Sequence, residues 1–370
     1  MTRRQFLGAT LSAAAIGAAG SVQVAGAPAT QPALRDASAS HLPRWRGFNL
    51  LDKYQGNRGR PFHEEDFALI AEWGFSFVRL PMSYLCWTDL PDWFQIREQP
   101  LKDIDQAVEF GRQHGVHVNL NLHRAPGYCV NPPKEPLDLW TDDNALDACA
   151  FHWSTLAKRY KGIPNSRVSF DLLNEPPDIP VEQYVHVVTR LVEAIRNEDE
   201  SRLIIADGLK FGGVPVAQLA DLKIAQSTRG YAPGRVSHYQ ASWVQDADQW
   251  PEPTWPIDYT IKDKDGNEHT EHWDKARLRK QQIDPWKKLE AQGVGVHVGE
   301  WGAHNRTPHE VVLAWMADDL DLWREANWGW SLWNLHGSFG VLDSGRRDVD
   351  YETFRSRKLD RKMLELLRAN

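Results

Sequence analysis

The sequence predicts an α/β protein folded as a single-domain (β/α)8 TIM barrel, and three observations carry that expectation. From Trp45 onward, short apolar runs rich in β-branched residues alternate with stretches of helical periodicity, the pattern of repeated strand–helix units. Strand and helix candidates each number eight. Two of the strands run into a carboxylate at the turn that halts them: Arg167–Leu173 leads to Asn174-Glu175-Pro176, and Val294–Val298 leads to Gly299-Glu300-Trp301. The C-terminal end of a barrel strand faces the mouth where catalytic groups collect, so both carboxylates are expected on one rim.

Taken in order, the strands are read as Trp45–Leu50, Phe75–Leu80, Val116–Leu122, Val168–Leu173, Arg202–Ala206, Arg235–Tyr239, Val294–Gly299 and Gly329–Asn334. The amphipathic segments between them are Glu64–Trp73, Ile104–His114, Asn144–Tyr160, Val181–Arg196, Val214–Ala220, Lys275–Gln292 and Pro308–Ala326, and Tyr351–Leu367 closes the chain. An open doubly wound sheet is the competing architecture. It would place a glycine-rich phosphate loop after the first strand, where Phe48-Asn49-Leu50-Leu51 stands instead. Long βα loops are expected after strands 2, 3 and 6, and length at that face usually serves function. In the third of them, Tyr259-Thr260-Ile261 and His269-Thr270-Glu271 flank Asp265-Gly266, a hairpin signal.

The N-terminal 29 residues read as an export signal and lie outside the fold. Paired Arg3-Arg4 before Phe6-Leu7, an Ala/Gly-rich stretch without acids, and small residues around Ala27 match a twin-arginine-like signal, so a periplasmic or extracellular location is expected with no membrane anchor. Residues 30–41, rich in Ala, Ser and Pro, are expected to be a flexible leader to a catalytic barrel over 42–370. In an exported chain the three cysteines, Cys86, Cys129 and Cys149, allow one disulfide with one thiol left over. Net charge is −7 with mixed signs along the chain, and no basic stripe with interleaved aromatics points to nucleic acid. The 17 tryptophans are expected to divide about equally between core filler and platforms that stack on sugar rings. No cofactor, no metal and a monomer are expected.

Strand ends hold a set of polar side chains: Arg79, His123, Asn174 with Glu175, His238 with Tyr239, Glu300, and Trp333 beside them. Any one alone is ordinarily a locally satisfied polar group or a solvated charge. Spread over six strand ends of one rim, they are better explained as a shared site.

Here the sequence resembles glycoside hydrolase family 5, the retaining β-glycanases that include many cellulases and mannanases. The resemblance rests on Arg46-Gly47-Phe48-Asn49, Val78-Arg79-Leu80-Pro81, His123 with Pro126-Gly127, Asn174-Glu175-Pro176, Gly299-Glu300-Trp301 and Leu332-Trp333-Asn334, in the family's order over nearly all of Trp45–Leu367. It implies Glu175 as acid/base, Glu300 as nucleophile, and Arg79, His123, Asn174, His238 and Trp333 around the reacting sugar. One position departs. The family usually carries a His-any-Tyr triplet on strand 6, whereas His238-Tyr239-Gln240 puts the tyrosine one place early, facing away unless a bulge re-aims it. Gln240 or a tyrosine from elsewhere is then needed in its place.

The expected activity is hydrolysis of β-linked glycans by double displacement, with an endo-β-1,4-glucanase first, and a β-mannanase, glucomannanase or exo-acting β-glycosidase as alternatives. A metal-dependent barrel hydrolase would need a histidine pair on an early strand and further His/Asp ligands at later strand ends, but strand 1 offers no histidine and His297 should point away from the mouth, its parity opposing that of Glu300. A barrel that binds glycans without cleaving them would not need both carboxylates.

Overall fold

The structure is a computed structural model that describes residues 34–56, 59–263 and 265–370. The export signal expected over residues 1–29 and the first residues of the leader lie outside the described residues. Eight parallel strands form the barrel: β1 Arg46–Asn49, β2 Phe77–Ser83, β3 His117–Ala125, β4 Val168–Asp171, β5 Ile204–Asp207, β6 Ala225–Gly230, β7 Val296–Trp301 and β8 Gly329–Leu332. Their order is β2-β1-β8-β7-β6-β5-β4-β3, and β3 pairs back with β2, so the sheet closes on itself. No edge is left unpaired in a closed barrel.

Seven of the eight strands coincide with the expected ones to within a few residues. The sixth does not. Arg235–Tyr239 is no strand: Gly234–Ser237 is a single helical turn after Pro233, and the strand lies upstream at Ala225–Gly230. Its sequence, Ala-Gln-Ser-Thr-Arg-Gly, lacks the apolar run that marks a buried strand, because polar partners wait on both faces: Ser227 and Arg229 bond each other on one, while Gln226 pairs with the Val216 backbone and Thr228 donates to the Gly212 carbonyl on the other.

Helices α1 Glu64–Glu72, α2 Glu98–His114, α3 Asp143–Arg159 and α4 Val181–Glu198 cover the first half of the barrel. Gly115, left-handed at φ 68°, ends α2, and the Asp142 side chain caps α3 by accepting from the Asn144 and Ala145 amides. The expected fifth helix shrinks to a 3₁₀ segment, Ala217–Leu222. Helix α5 spans 275–290 with a π turn at Arg279–Ile283, and α6 is His309–Ala326. The C-terminal segment begins with a small hairpin, Glu352–Phe354 with Arg357–Leu359, and only Arg361–Ala369 is helix (α7). The hairpin foreseen after strand 6 is present as Ile257–Lys262 paired with Glu268–Trp273.

Inside the barrel, register decides what meets. Arg79 on β2 is level with Asn49 on β1 and Asn119 on β3, and Asn119 is level with Ser169 on β4. Partners in register share a face, so these side chains form one polar band across the interior. Below it, Leu42, Trp45, Phe77, Leu203, Ile205 and Ala225 plug the N-terminal end, with Ala37 and Ala39 packed on them. The Gly295 amide donates to the Ala39 carbonyl at 2.7 Å, so this part of the expected leader is tied to the barrel floor.

Thirteen of the 17 tryptophans are buried, which overturns the even division: most fill the layer between sheet and helices. Trp301 is in ring contact with Trp315, Trp323 and Trp330 there. All three cysteines are free thiols. Among the described residues no helix is long and apolar enough to cross a membrane.

Candidate active site

The site is built around two buried arginines. Arg79, 1% exposed, donates from Nε to Asp171 at 2.7 Å, from Nη1 to Glu300 at 2.5 Å and Asn49 at 3.1 Å, and from Nη2 to Asn174 at 2.9 Å. Asn49 is itself held by three carbonyls, those of Gly299, Ser331 and Leu332. Asn49, Asp171 and Asn174 therefore fix the planar guanidinium, which points one nitrogen at Glu300.

Glu300 reaches that nitrogen through a bulge. Val298 is level with Thr228 on β6 but Glu300 with Arg229, so Gly299 is the extra residue. A Cβ at Gly299 would lie 2.4 Å from the Ser227 hydroxyl oxygen and 2.9 Å from Arg229 Nη1, and only glycine permits that approach. The Gly-Glu pair of the sequence is thus a shape requirement: the bulge turns the carboxylate into the mouth.

The second arginine, Arg229, was not foreseen. Its Nη1 donates to Asp207 Oδ1 at 2.9 Å and its Nη2 bonds Asp207 Oδ2, Nη2 also donates to Asn174 at 2.9 Å, and Nε donates to Glu175 at 3.2 Å. Its Nη2 is also 3.6 Å from Glu300, so both expected catalytic carboxyls share one guanidinium. Glu175 adopts a left-handed backbone at φ 52°, a conformation that costs a non-glycine residue on the order of 1 kcal/mol or more. It is held there from both sides: the Tyr128 hydroxyl donates to its carbonyl at 2.5 Å, and its amide donates to Asp207 at 2.9 Å. Burial, then the nearby Glu300 charge, pushes the Glu175 carboxyl up to about 8, against the pull of Arg229.

Asn174 has two donors on its Oδ1, from Arg79 and Arg229, which orients the amide. Its Nδ2 is buried without a protein partner. A donor left over in this way is available to a ligand oxygen.

Tyr231, just past β6, donates to Glu300 Oε2 at 3.2 Å. It is the tyrosine from elsewhere that the sequence called for. Arg229-Gly230-Tyr231 has the His-any-Tyr spacing, with arginine in the place of histidine. His238 stands beside it, edge-on to the Tyr231 ring at 5.1 Å, with Nδ1 2.7 Å from the Ser237 hydroxyl; it comes from a turn and not from a strand. Tyr239 is placed apart: its hydroxyl accepts from Gln240 Nε2 at 3.1 Å, and it lines a surface depression with Arg306 and Asp348. Both positions were assigned to strand 6, and the misplacement of that strand is the reason they differ from expectation.

His123 on β3 donates from Nε2 to Asn131 Oδ1 at 2.8 Å, where the Tyr54 hydroxyl also donates at 3.1 Å. Burial lowers its imidazole to about 3, so the ring is neutral and its Nδ1 is an unpaired buried acceptor. Trp333, Tyr54 and His123 form an aromatic corner with ring separations of 4.5–5.8 Å. On the Glu300 side, Trp243 is 57% exposed and lies 6.2 Å from Phe339 and 6.3 Å from His238.

Asn49, Asp171, Asp207, Arg229 and Tyr231 escaped the reading of the sequence. Asp207 carried the same signal as Glu175 and Glu300, an acid closing an Ile-Ile-Ala run. Arg229 and Tyr231 could have been found by their spacing.

Comparison with known proteins places the whole barrel in one family. The sequence profile described as Cellulase (glycosyl hydrolase family 5) matches residues 36–338. Endoglucanase C of Acetivibrio thermocellus is 25% identical over 305 residues, covering 78% of this chain and 88% of the relative. A crystal structure of a glycoside hydrolase superposes with a TM-score of 0.82 at 38% identity, covering 88% of this chain and 99% of that one. Endoglucanase Cel5A of Thermotoga maritima has the same fold, with a TM-score of 0.70 at 21% identity over 87% of this chain and 96% of its own.

Proposed function

Because the chain belongs to glycosyl hydrolase family 5 and is a glycosidase of O-glycosyl compounds, we propose that it cleaves β-linked glycans by retaining double displacement, with Glu300 as nucleophile and Glu175 as acid/base. The observation that carries this reading is the sharing of one guanidinium by two carboxyls in unlike surroundings. Glu300 receives Arg79 at 2.5 Å and the Tyr231 hydroxyl, contacts that aim its oxygens for attack on the anomeric carbon. Glu175, raised to about 8, keeps a proton for the leaving oxygen. Once Glu300 is esterified its charge is gone, the Glu175 carboxyl falls, and it accepts a proton from the incoming water. The free Asn174 Nδ2 is suited to the sugar 2-hydroxyl, and Trp333 to the floor beneath the ring, with Arg79 and His123 beside it.

The first substrate is a β-1,4-glucan cut internally. The A. thermocellus relative is an endoglucanase by name, and the solvent-facing Trp243 suits stacking along a chain. Reducing-sugar release and viscosity loss on carboxymethyl-cellulose, barley β-glucan, mannan and glucomannan, with Glu300→Ala as the blank, name the backbone. Release only of monosaccharide from short β-oligosaccharides replaces the endo reading by an exo one. The anomeric configuration of the first product, followed by proton NMR, tests retention; an inverted product overturns the double displacement. Export runs through a twin-arginine route, a reading that Arg3-Arg4 and Phe6-Leu7 support. Replacing Arg3 and Arg4 by lysine should hold the precursor in the cytoplasm.

A further inference from the structure

The Arg229–Asp207 pair has no place in the expected residue set, yet it touches Glu175 at both ends. Asp207, fully buried, accepts from the Glu175 amide through Oδ2 and takes Arg229 on both oxygens. Arg229, 6% exposed, lays Nε on the Glu175 carboxyl and Nη2 near Glu300. We propose that this pair is a positioning clamp: Asp207 holds the strained Glu175 backbone, Arg229 holds its carboxyl against Glu300, and the permanent charge of the guanidinium lowers the pH at which Glu175 gives up its proton. The inference rests on the reading of Glu175 as acid/base.

Charge counting supports it. Four carboxyls, Asp171, Glu175, Asp207 and Glu300, face two guanidiniums. Asp171 takes the Nε edge of Arg79, and Asp207 takes Arg229 on two nitrogens. Glu300 keeps the short Arg79 contact and the Tyr231 hydroxyl, while Glu175 is left with one contact at 3.2 Å. The proton of the catalytic pair therefore belongs on Glu175. Histidine in the place of Arg229 could shed its own charge, whereas arginine cannot in the working range. The clamp thus keeps a fixed cation on the acid/base at every working pH. Burial and Glu300 raise Glu175, Arg229 opposes them, and Asp207 adds a smaller push upward.

The test follows the Glu175 carboxyl directly, by carbon NMR titration of the full chain labelled at glutamate Cδ, with the resonance assigned by its loss in Glu175→Gln. Arg229→Gln should move the midpoint up by about one pH unit. Arg229→Lys should return it most of the way. Arg229→Gln combined with Asp207→Asn, which leaves no buried charge unpaired, should move it up by less. The alkaline limb of kcat/KM should shift with the midpoint in each variant. Midpoints that coincide with the wild type in folded Arg229→Gln or in the double variant overturn the clamp. A midpoint that moves while the alkaline limb stays fixed removes the acid/base role of Glu175, and with it the clamp's bearing on turnover; that outcome is distinct from an immobile midpoint.

Discussion

The Tyr231 hydroxyl donates to Oε2 of Glu300 at 3.2 Å, from the residue that follows β6. This single contact identifies the tyrosine that faces Glu300, one residue past the strand that sheet pairing places sixth. It also separates two tyrosines that the sequence places within a few residues of each other.

Tyr231→Phe should lower kcat by about 10- to 100-fold, the size expected for loss of a hydrogen bond to a charged group. Tyr239→Phe should leave kcat within about twofold of wild type, since its hydroxyl meets Gln240. Steady-state kinetics on one glycan decide the matter; equal losses in the two variants would remove the assignment of Tyr231.

Glu300→Ala should abolish turnover by about 10⁴-fold or more, as removal of a covalent nucleophile does. Circular dichroism should show an unchanged fold. Near-normal activity of the folded variant excludes Glu300 as nucleophile.

The alkaline limb of kcat/KM should fall near pH 8, where Glu175 loses its proton. The same group makes a stability prediction. Folded Glu175 keeps its proton up to about 8, whereas an unfolded glutamate loses it near 4.3, so between these values the folded state binds more protons and stability declines as pH rises. Glu175→Gln should therefore be more stable than wild type at pH 8, by about 1–3 kcal/mol, and close to it at pH 4. Thermal melts at the two pH values check the sign; a wild type that gains stability toward pH 8 relative to the variant contradicts it.

Arg79→Ala should cost about 3–5 kcal/mol, because it leaves Asp171 buried without its cation and Glu300 with only the longer Arg229 contact. Urea unfolding measures it. A loss below about 1 kcal/mol would mean that the two carboxyls find other partners or take up protons at no cost.

Much of the molecule was legible in the chain. The β-α alternation, the acids that close strands 4 and 7, and Arg79, His123, Asn174 and Trp333 are local patterns, each written in a few consecutive residues. The hairpin around Asp265-Gly266 was equally local. Strand 6 was not, because the apolar run that marks a buried strand is missing where its side chains meet polar partners on both faces. Val236, a β-branched residue after Pro233, imitated a strand in a segment that turns as a helix.

What the linear order held was which residues end seven of the eight strands; what only the closed barrel decided was which of them meet. Asn49, Asp171, Asp207 and Arg229 lie on four different strands, and only strand register brings them to one place. The bulge at Gly299 is likewise a property of three paired strands. A side chain's burial and its charged neighbours come from those pairings, and they determine which glutamate holds the proton.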